Sequence, residues 1–280
     1  DVERMADPAE LAKAIGSNQP FFLAYQGRND RDLQALYGAL VCMMQKDMKK
    51  LVAYSSVSHL GFCTLGIFAL TPQGLSGSII QQINHGISAG GLFLLIGVLY
   101  GRRHTRLISE FGGLSTPMPN FAVIYLIMTL SSLGLPLLNG FIGEFTILSG
   151  VYQVSIGWTA WASTDIILGA AYLLWLFQRV MFGPVTNAAN EHLPDLNARE
   201  YATLLPLVAL AFWIGIYPKP LFTILEQPVK QIVLQVNPGY YHAAGASLTP
   251  AVAVVASPET QPVAPPAVPA FAAPASRETR

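Results

Sequence analysis

Four side chains able to take up or release a proton, Lys49, His59, His85 and Glu144, fall in or beside stretches of sequence that are otherwise apolar. A charge in hydrocarbon costs roughly 2.5–3.5 kcal/mol on insertion scales, so ionisable residues in such places point to a proton or ion path. Lys49 opens the stretch Lys49-Lys50-Leu51-Val52-Ala53-Tyr54-Ser55-Ser56-Val57-Ser58-His59-Leu60-Gly61-Phe62. A desolvated lysine gives up its proton readily, which suits a loading site; the competing reading is a snorkelling lysine with a wet ammonium. Histidine titrates near neutrality, and Ser55, Ser56 and Ser58 beside His59 could order water for a relay; a structural hydrogen bond between helices is equally open. His85 follows Gln81, Gln82 and Asn84 inside an apolar stretch, a pattern that predicts a wet interior. Glu144 lies just beyond Pro136-Leu137-Leu138-Asn139-Gly140, where an apolar run is interrupted.

These residues need helices to hold them. Leu33 to Met44 is too short to cross a hydrocarbon core, which takes about twenty residues. Leu51–Thr71, Ser76–Tyr100, Trp158–Phe182 and Tyr201–Ile216 each read as a span. Between them Phe121–Leu135 and Phe141–Gln153 flank the Pro-Asn-Gly interruption, because proline removes a helical hydrogen bond and glycine suits non-helical backbone. A broken helix of this kind survives at membrane depth only where it lines a cavity or packs in protein; two separate spans joined by a tight turn are the alternative. Asp165, beside Ser163 and Thr164 near the start of its span, reads as a capping residue. The expected fold is all-α, a polytopic membrane helical bundle with one discontinuous helix.

The composition agrees. Of 280 residues, 52% are hydrophobic and 11% charged, against about 25% charged in soluble domains. Net charge is zero, which suggests no nucleic-acid partner. Cys42 and Cys63 form no metal or redox pair and read as buried thiols. With no phosphate loop or dinucleotide fingerprint, no cofactor or metal is expected in this chain. Four regions are expected: a polar arm over 1–32, a transmembrane domain over 33–220, an amphipathic surface helix over 221–236 with Phe222, Ile224, Leu225, Val229, Ile232 and Val233 as its apolar side, and a disordered Pro/Ala-rich tail over 237–280. Alternating crossings put Lys46, Lys49, Lys50, Arg102, Arg103, Arg106, Arg179 and Arg199 on one side; the positive-inside rule makes that side cytoplasmic and sends the tail outward.

The motifs resemble the antiporter-like membrane subunits of respiratory complex I. The resemblance runs from Gln45-Lys46-Asp47-Met48-Lys49-Lys50 through Ser56-Val57-Ser58-His59-Leu60-Gly61-Phe62, Gln82-Ile83-Asn84-His85-Gly86, Phe111-Gly112-Gly113-Leu114, Gly140-Phe141-Ile142-Gly143-Glu144-Phe145 and Gln178-Arg179-Val180-Met181-Phe182-Gly183 to Asp195-Leu196-Asn197-Ala198-Arg199-Glu200-Tyr201, covering residues 34–236. It implies a proton-translocating subunit of an NADH:quinone oxidoreductase with no redox centre of its own. The implied proton path is Lys49, His59, His85 and Glu144, and the implied partners are other membrane-arm subunits and the lipid bilayer, in a bacterial inner membrane. Family members carry two inverted repeats, of which this sequence matches the second, so the chain is expected to be part of a longer protein. Two rivals share the pattern: a subunit of a multisubunit cation/proton antiporter or membrane-bound hydrogenase, and a truncated scaffold that transports nothing.

Overall fold

A computed structural model describes residues 32–185, 187–236 and 239–240. The expected arm over 1–32 and the tail from 237 onward lie almost wholly outside the described residues. Those residues form eight α-helices: α1 (Asp32–Met43), α2 (Met48–Phe68), α3 (Pro72–Arg103), α4 (Pro119–Ser132), α5 (Asn139–Tyr152), α6 (Ile156–Met181), α7 (Ala198–Ile216) and α8 (Lys219–Val236). Four of them, α2, α3, α6 and α7, are long and apolar enough to cross a membrane.

Each span starts where its sequence provides a cap. Asp47 accepts from the Lys49 and Lys50 amides at the start of α2, Thr71 accepts from Gly74 ahead of Pro72 in α3, and Ser155 accepts from Trp158 in α6. Asn197 and Glu200 form a reciprocal capping box on α7. These side chains satisfy amides that the helix itself leaves without partners.

The interruption at Pro136 is a true helix break within one crossing. Neither α4 nor α5, at 14 residues each, spans the core alone, since 14 residues rise only about 21 Å. Both run antiparallel along the single 32-residue helix α3. Met128 of α4 packs on Gly91, Asn139 at the start of α5 meets Asn84, Thr146 and Ile147 press on Gly77, and Gly150 meets Gly74. Descending positions on α3 thus meet ascending positions on α4 and then α5, so the halves lie in line. Close approach requires glycine at Gly77, where a Cβ would sit 2.7 Å from the Ile147 amide nitrogen.

With the break counted as one crossing, Arg102, Arg103 and Arg106 collect at one end of the bundle, and Lys219 stands at the other. Arg102 reaches Glu200 at 2.7 Å and the Asp195 carbonyl at 3.0 Å, Arg103 donates to Asn190 at 2.6 Å, and Arg106 lies 3.4 Å from Asp47. Asp195 also caps α4 from a distance, accepting from the Asn120 and Phe121 amides at 2.9 and 3.0 Å. Burial pushes the Asp195 carboxyl up, but these bonds, with the Leu196 amide and the Asn120 side chain, prevail and hold it below the usual carboxylate range.

The amphipathic helix begins at Lys219, two residues earlier than its pattern suggests. Val229 and Val233 bury against Leu75, flanked by Leu225. Ile224 and Ile232 stay exposed, so the apolar stripe is only partly spent on this chain.

Candidate proton site

The polar residues of the spans gather in one layer between two apolar clusters. On one side, Met48, Leu51, Leu92, Leu95, Phe121, Tyr125, Met128 and Tyr172 pack together. On the other lie Phe62, Ala69, Ile147, Val151 and Ala162. Between them, at matching depth on five helices, are Ser55, Ser58 and His59 of α2, Gln81, Asn84 and Ser88 of α3, Ser131 and Ser132 of α4, Asn139 and Glu144 of α5, and Asp165 of α6, all buried.

His59 and Glu144 meet here. His59 Nδ1 lies 3.6 Å from Glu144 Oε1, and Gln81 Nε2 donates to the same oxygen at 3.3 Å. The His85 ring stands 5.2 Å from that of His59, centroid to centroid. Sequence positions from 59 to 144 are thereby joined in one titratable group of imidazole, imidazole and carboxylate. Such a group can hold a proton in more than one place, because each charge alters the cost of the next. A small cleft adjoins it, lined by His59, Ser132, Leu133, Glu144 and Asp165 among others.

The helix break shapes this site. Gly134 has φ of +72°, and a side chain there would run into the Glu144 carboxylate. Asn139 fastens the break to α3: Asn84 Nδ2 donates to the Asn139 carbonyl at 2.6 Å, Asn139 Nδ2 donates to the Asn84 carbonyl at 3.2 Å, and Ser131 Oγ donates to Asn139 Oδ1. Ser131 lies at the end of α4 and Asn139 at the start of α5, so one amide ties both halves to a continuous helix.

Lys49 and Asp165 stand at very different depths, and only Asp165 departs from its expected place. Lys49 is exposed in the first turn of α2. Ten residues separate it from His59, about 15 Å of helix, so it stands apart from the buried group at the basic end. Asp165 is not a cap. Ser155 caps α6, Ser163 and Thr164 turn back to the Thr159 and Trp161 carbonyls, and Asp165 is buried deep in the helix with Ser58 Oγ donating to its Oδ1. The helix begins at Ile156, earlier than its hydropathy suggests, which carries Asp165 inward.

Ser131 belongs to the site although nothing in its spacing singles it out, whereas Ser58 and Asn139 already stand in the serine-rich and interrupted stretches of the sequence. Cys42 and Cys63 are buried free thiols. No group of three or more His, Cys, Asp or Glu side chains is placed to hold a metal among the described residues.

Residues 33–169 match the family described as NADH:quinone oxidoreductase/Mrp antiporter, TM. The chain is 43% identical over 208 residues to NADH-quinone oxidoreductase subunit M of Rhodobacter capsulatus, covering 74% of this chain and 40% of that protein. It is 41% identical over 198 residues to NADH-ubiquinone oxidoreductase chain 4 of Arabidopsis thaliana, covering 71% of this chain and 40% of the relative. The chain therefore spans about two fifths of the length of these relatives. Among solved structures it resembles a chain of respiratory complex I from Thermus thermophilus, with TM-score 0.70 and 35% identity over 81% of this chain and 45% of that one. A chain of the Mrp complex from Dietzia shares the fold, with TM-score 0.65 at 19% identity over 78% of this chain and 48% of that one.

Proposed function

Because the chain belongs to the NADH:quinone oxidoreductase/Mrp antiporter membrane family, we propose that it is a proton-translocating, subunit M-type membrane component of an NADH:quinone oxidoreductase. The observation that supports this most is the buried contact of His59 with Glu144, closed by Gln81 and extended to His85. Buried ionisable residues facing a bundle interior are the material of proton relays. In this reading a proton passes among His85, His59 and Glu144, and each transfer changes the electrostatic cost of holding the next proton. Lys49, about 15 Å along α2 from His59, acts at the basic end as the group that meets the proton before or after the buried set.

Electron transfer takes place in other subunits, so the chain carries no cofactor and couples to the redox reaction through its neighbours. Partners are the other membrane-arm subunits and the lipid around them. The basic end faces the cytoplasm of a bacterial inner membrane, and the segment after α8 leaves on the opposite side. The matched length, 40% of one relative, supports a longer protein in which a first inverted repeat precedes this chain. The antiporter alternative rests on a likeness of fold at 19% identity, whereas the oxidoreductase relatives stand at 43 and 41%.

The test is NADH-driven acidification of inverted membrane vesicles that carry the chain in its native assembly. Glu144→Gln removes the carboxylate and Lys49→Ala the amine. Both lower the protons moved per NADH, Glu144→Gln the more strongly. Normal pumping in both, with the assembly intact, refutes the route.

A further inference from the structure

Resting on the proton-path reading above, we propose that Asp165 is a second proton-carrying carboxylate of this site, sharing the cleft of His59 and Glu144 and held in place by Ser58. Asp165 lies in the interior of the 26-residue helix α6, and 7% of its surface is exposed. It lines the same cleft as His59 and Glu144. Among the described residues no ion pair puts a cation on Asp165. A buried carboxylate with a hydroxyl partner and no counter-charge is compensated most directly by a proton.

Two further features bear on this. Glu144 and Asp165 line one cleft, and two carboxylates in one low-dielectric space resist being ionised together, so a proton on one favours the charged form of the other. Independently, His59 is 7% exposed and its Nε2 has no hydrogen-bond partner. An imidazole in the cleft wall with one nitrogen on Glu144 and the other unpartnered is placed to exchange a proton on its second side.

The step balances as a proton transfer. An N–H bond of the His59 imidazolium breaks as an O–H bond forms on Asp165, directly or across the cleft, and the two opposite charges disappear together. The reverse step restores them. Ser58 Oγ occupies Oδ1, so the proton is carried on Oδ2. The groups within electrostatic reach of Asp165 are Cys42 from α1, His59 from α2 with His85 behind it on α3, Glu144 from α5 and Tyr172 on α6 itself.

Asp165→Asn separates this role from a structural one, because asparagine still accepts the Ser58 hydrogen bond and cannot carry the proton. In inverted vesicles with the native assembly, Asp165→Asn loses the share of protons moved per NADH that Glu144→Gln also loses and reshapes the pH profile of pumping, and Asp165→Glu restores both. Infrared difference spectra lose a carboxylic C=O band in Asp165→Asn that differs from the band lost in Glu144→Gln. Unchanged pumping, pH profile and bands in Asp165→Asn, alongside a dead Glu144→Gln, overturn the assignment of Asp165 alone; a normally pumping Glu144→Gln overturns the underlying path. If Asp165→Asn fails to assemble, Asp165→Glu decides by its spectrum: a shifted carboxylic band supports the proposal and an unshifted one overturns it.

Discussion

The amide of Asn139 offers the sharpest quantitative check, because it joins both halves of the broken helix to α3. Asn139→Ala removes its donation to the Asn84 carbonyl and its acceptance from Ser131, but leaves the main-chain carbonyl that Asn84 Nδ2 reaches at 2.6 Å. Hydrogen bonds between membrane helices average about 0.6 kcal/mol and reach about 1.7. Two lost bonds at about 0.6 kcal/mol each therefore cost about 1.2 kcal/mol, roughly a sevenfold change in the folding equilibrium at about 1.4 kcal/mol per tenfold. The assay is a denaturation titration of the chain in detergent, run for Asn139→Ala, Ser131→Ala and the double variant. The cycle isolates the Ser131–Asn139 bond from any cavity effect, and its coupling energy is about 0.6–1.7 kcal/mol. Strictly additive variants would mean that the amide does not hold the break, and the account of the discontinuity as a pinned structure would fail.

Two other outcomes follow from the same geometry. Gly134→Ala forces a left-handed backbone on a residue with a Cβ, at about 1–2 kcal/mol, and pushes that Cβ onto the Glu144 carboxylate; stability and proton pumping both fall, and a variant with wild-type values in both contradicts the packing. Asp195→Ala uncovers the first amides of α4, so the Asn120 and Phe121 amides exchange hydrogen faster, read by mass spectrometry. The wild type shows the same loosening in acid: the carboxyl is held below its ordinary value, so its contribution is complete above about pH 4 and is lost as pH falls through the lower folded value. Exchange that is insensitive to both the substitution and the acid removes Asp195 as the cap.

Spans and their ends are visible in hydropathy and in caps such as Asp47, Thr71 and Asn197, because the forces that start a helix act within one turn of chain. Pro136 and Gly140 likewise announce a break locally. What sequence spacing hides is depth. His59 and Glu144 become neighbours only because α2 and α5 are brought to the same level on α3, α2 by packing of Gly66 on Gly74 and Ser78 and α5 by packing at Gly77, Asn84 and Gly150. Asp165 is misread as a cap for a related reason. Its hydroxyl neighbours look like cap residues, but the helix starts at Ile156, and serine and threonine inside a helix bond back to its own carbonyls. Lys49 is near His59 along the sequence but about 15 Å from it along the rod of α2. Ile224 and Ile232 show that an apolar stripe marks a face without saying which part of it is covered by the chain itself.

The polar layer is bounded above and below by dry side chains, and that has a kinetic consequence. Hydrophobic constrictions conduct only when they wet. If protons take the proposed route, one held among His59, Glu144 and Asp165 is in an airlock: the Leu92–Tyr125–Met128 packing stands as one door and the Phe62–Ile147–Val151 packing as the other. With both doors shut nothing leaks, and with both open the gradient collapses. On that reading useful turnover depends on the two doors hydrating in alternation, and the apolar residues that never titrate set the direction of traffic through those that do.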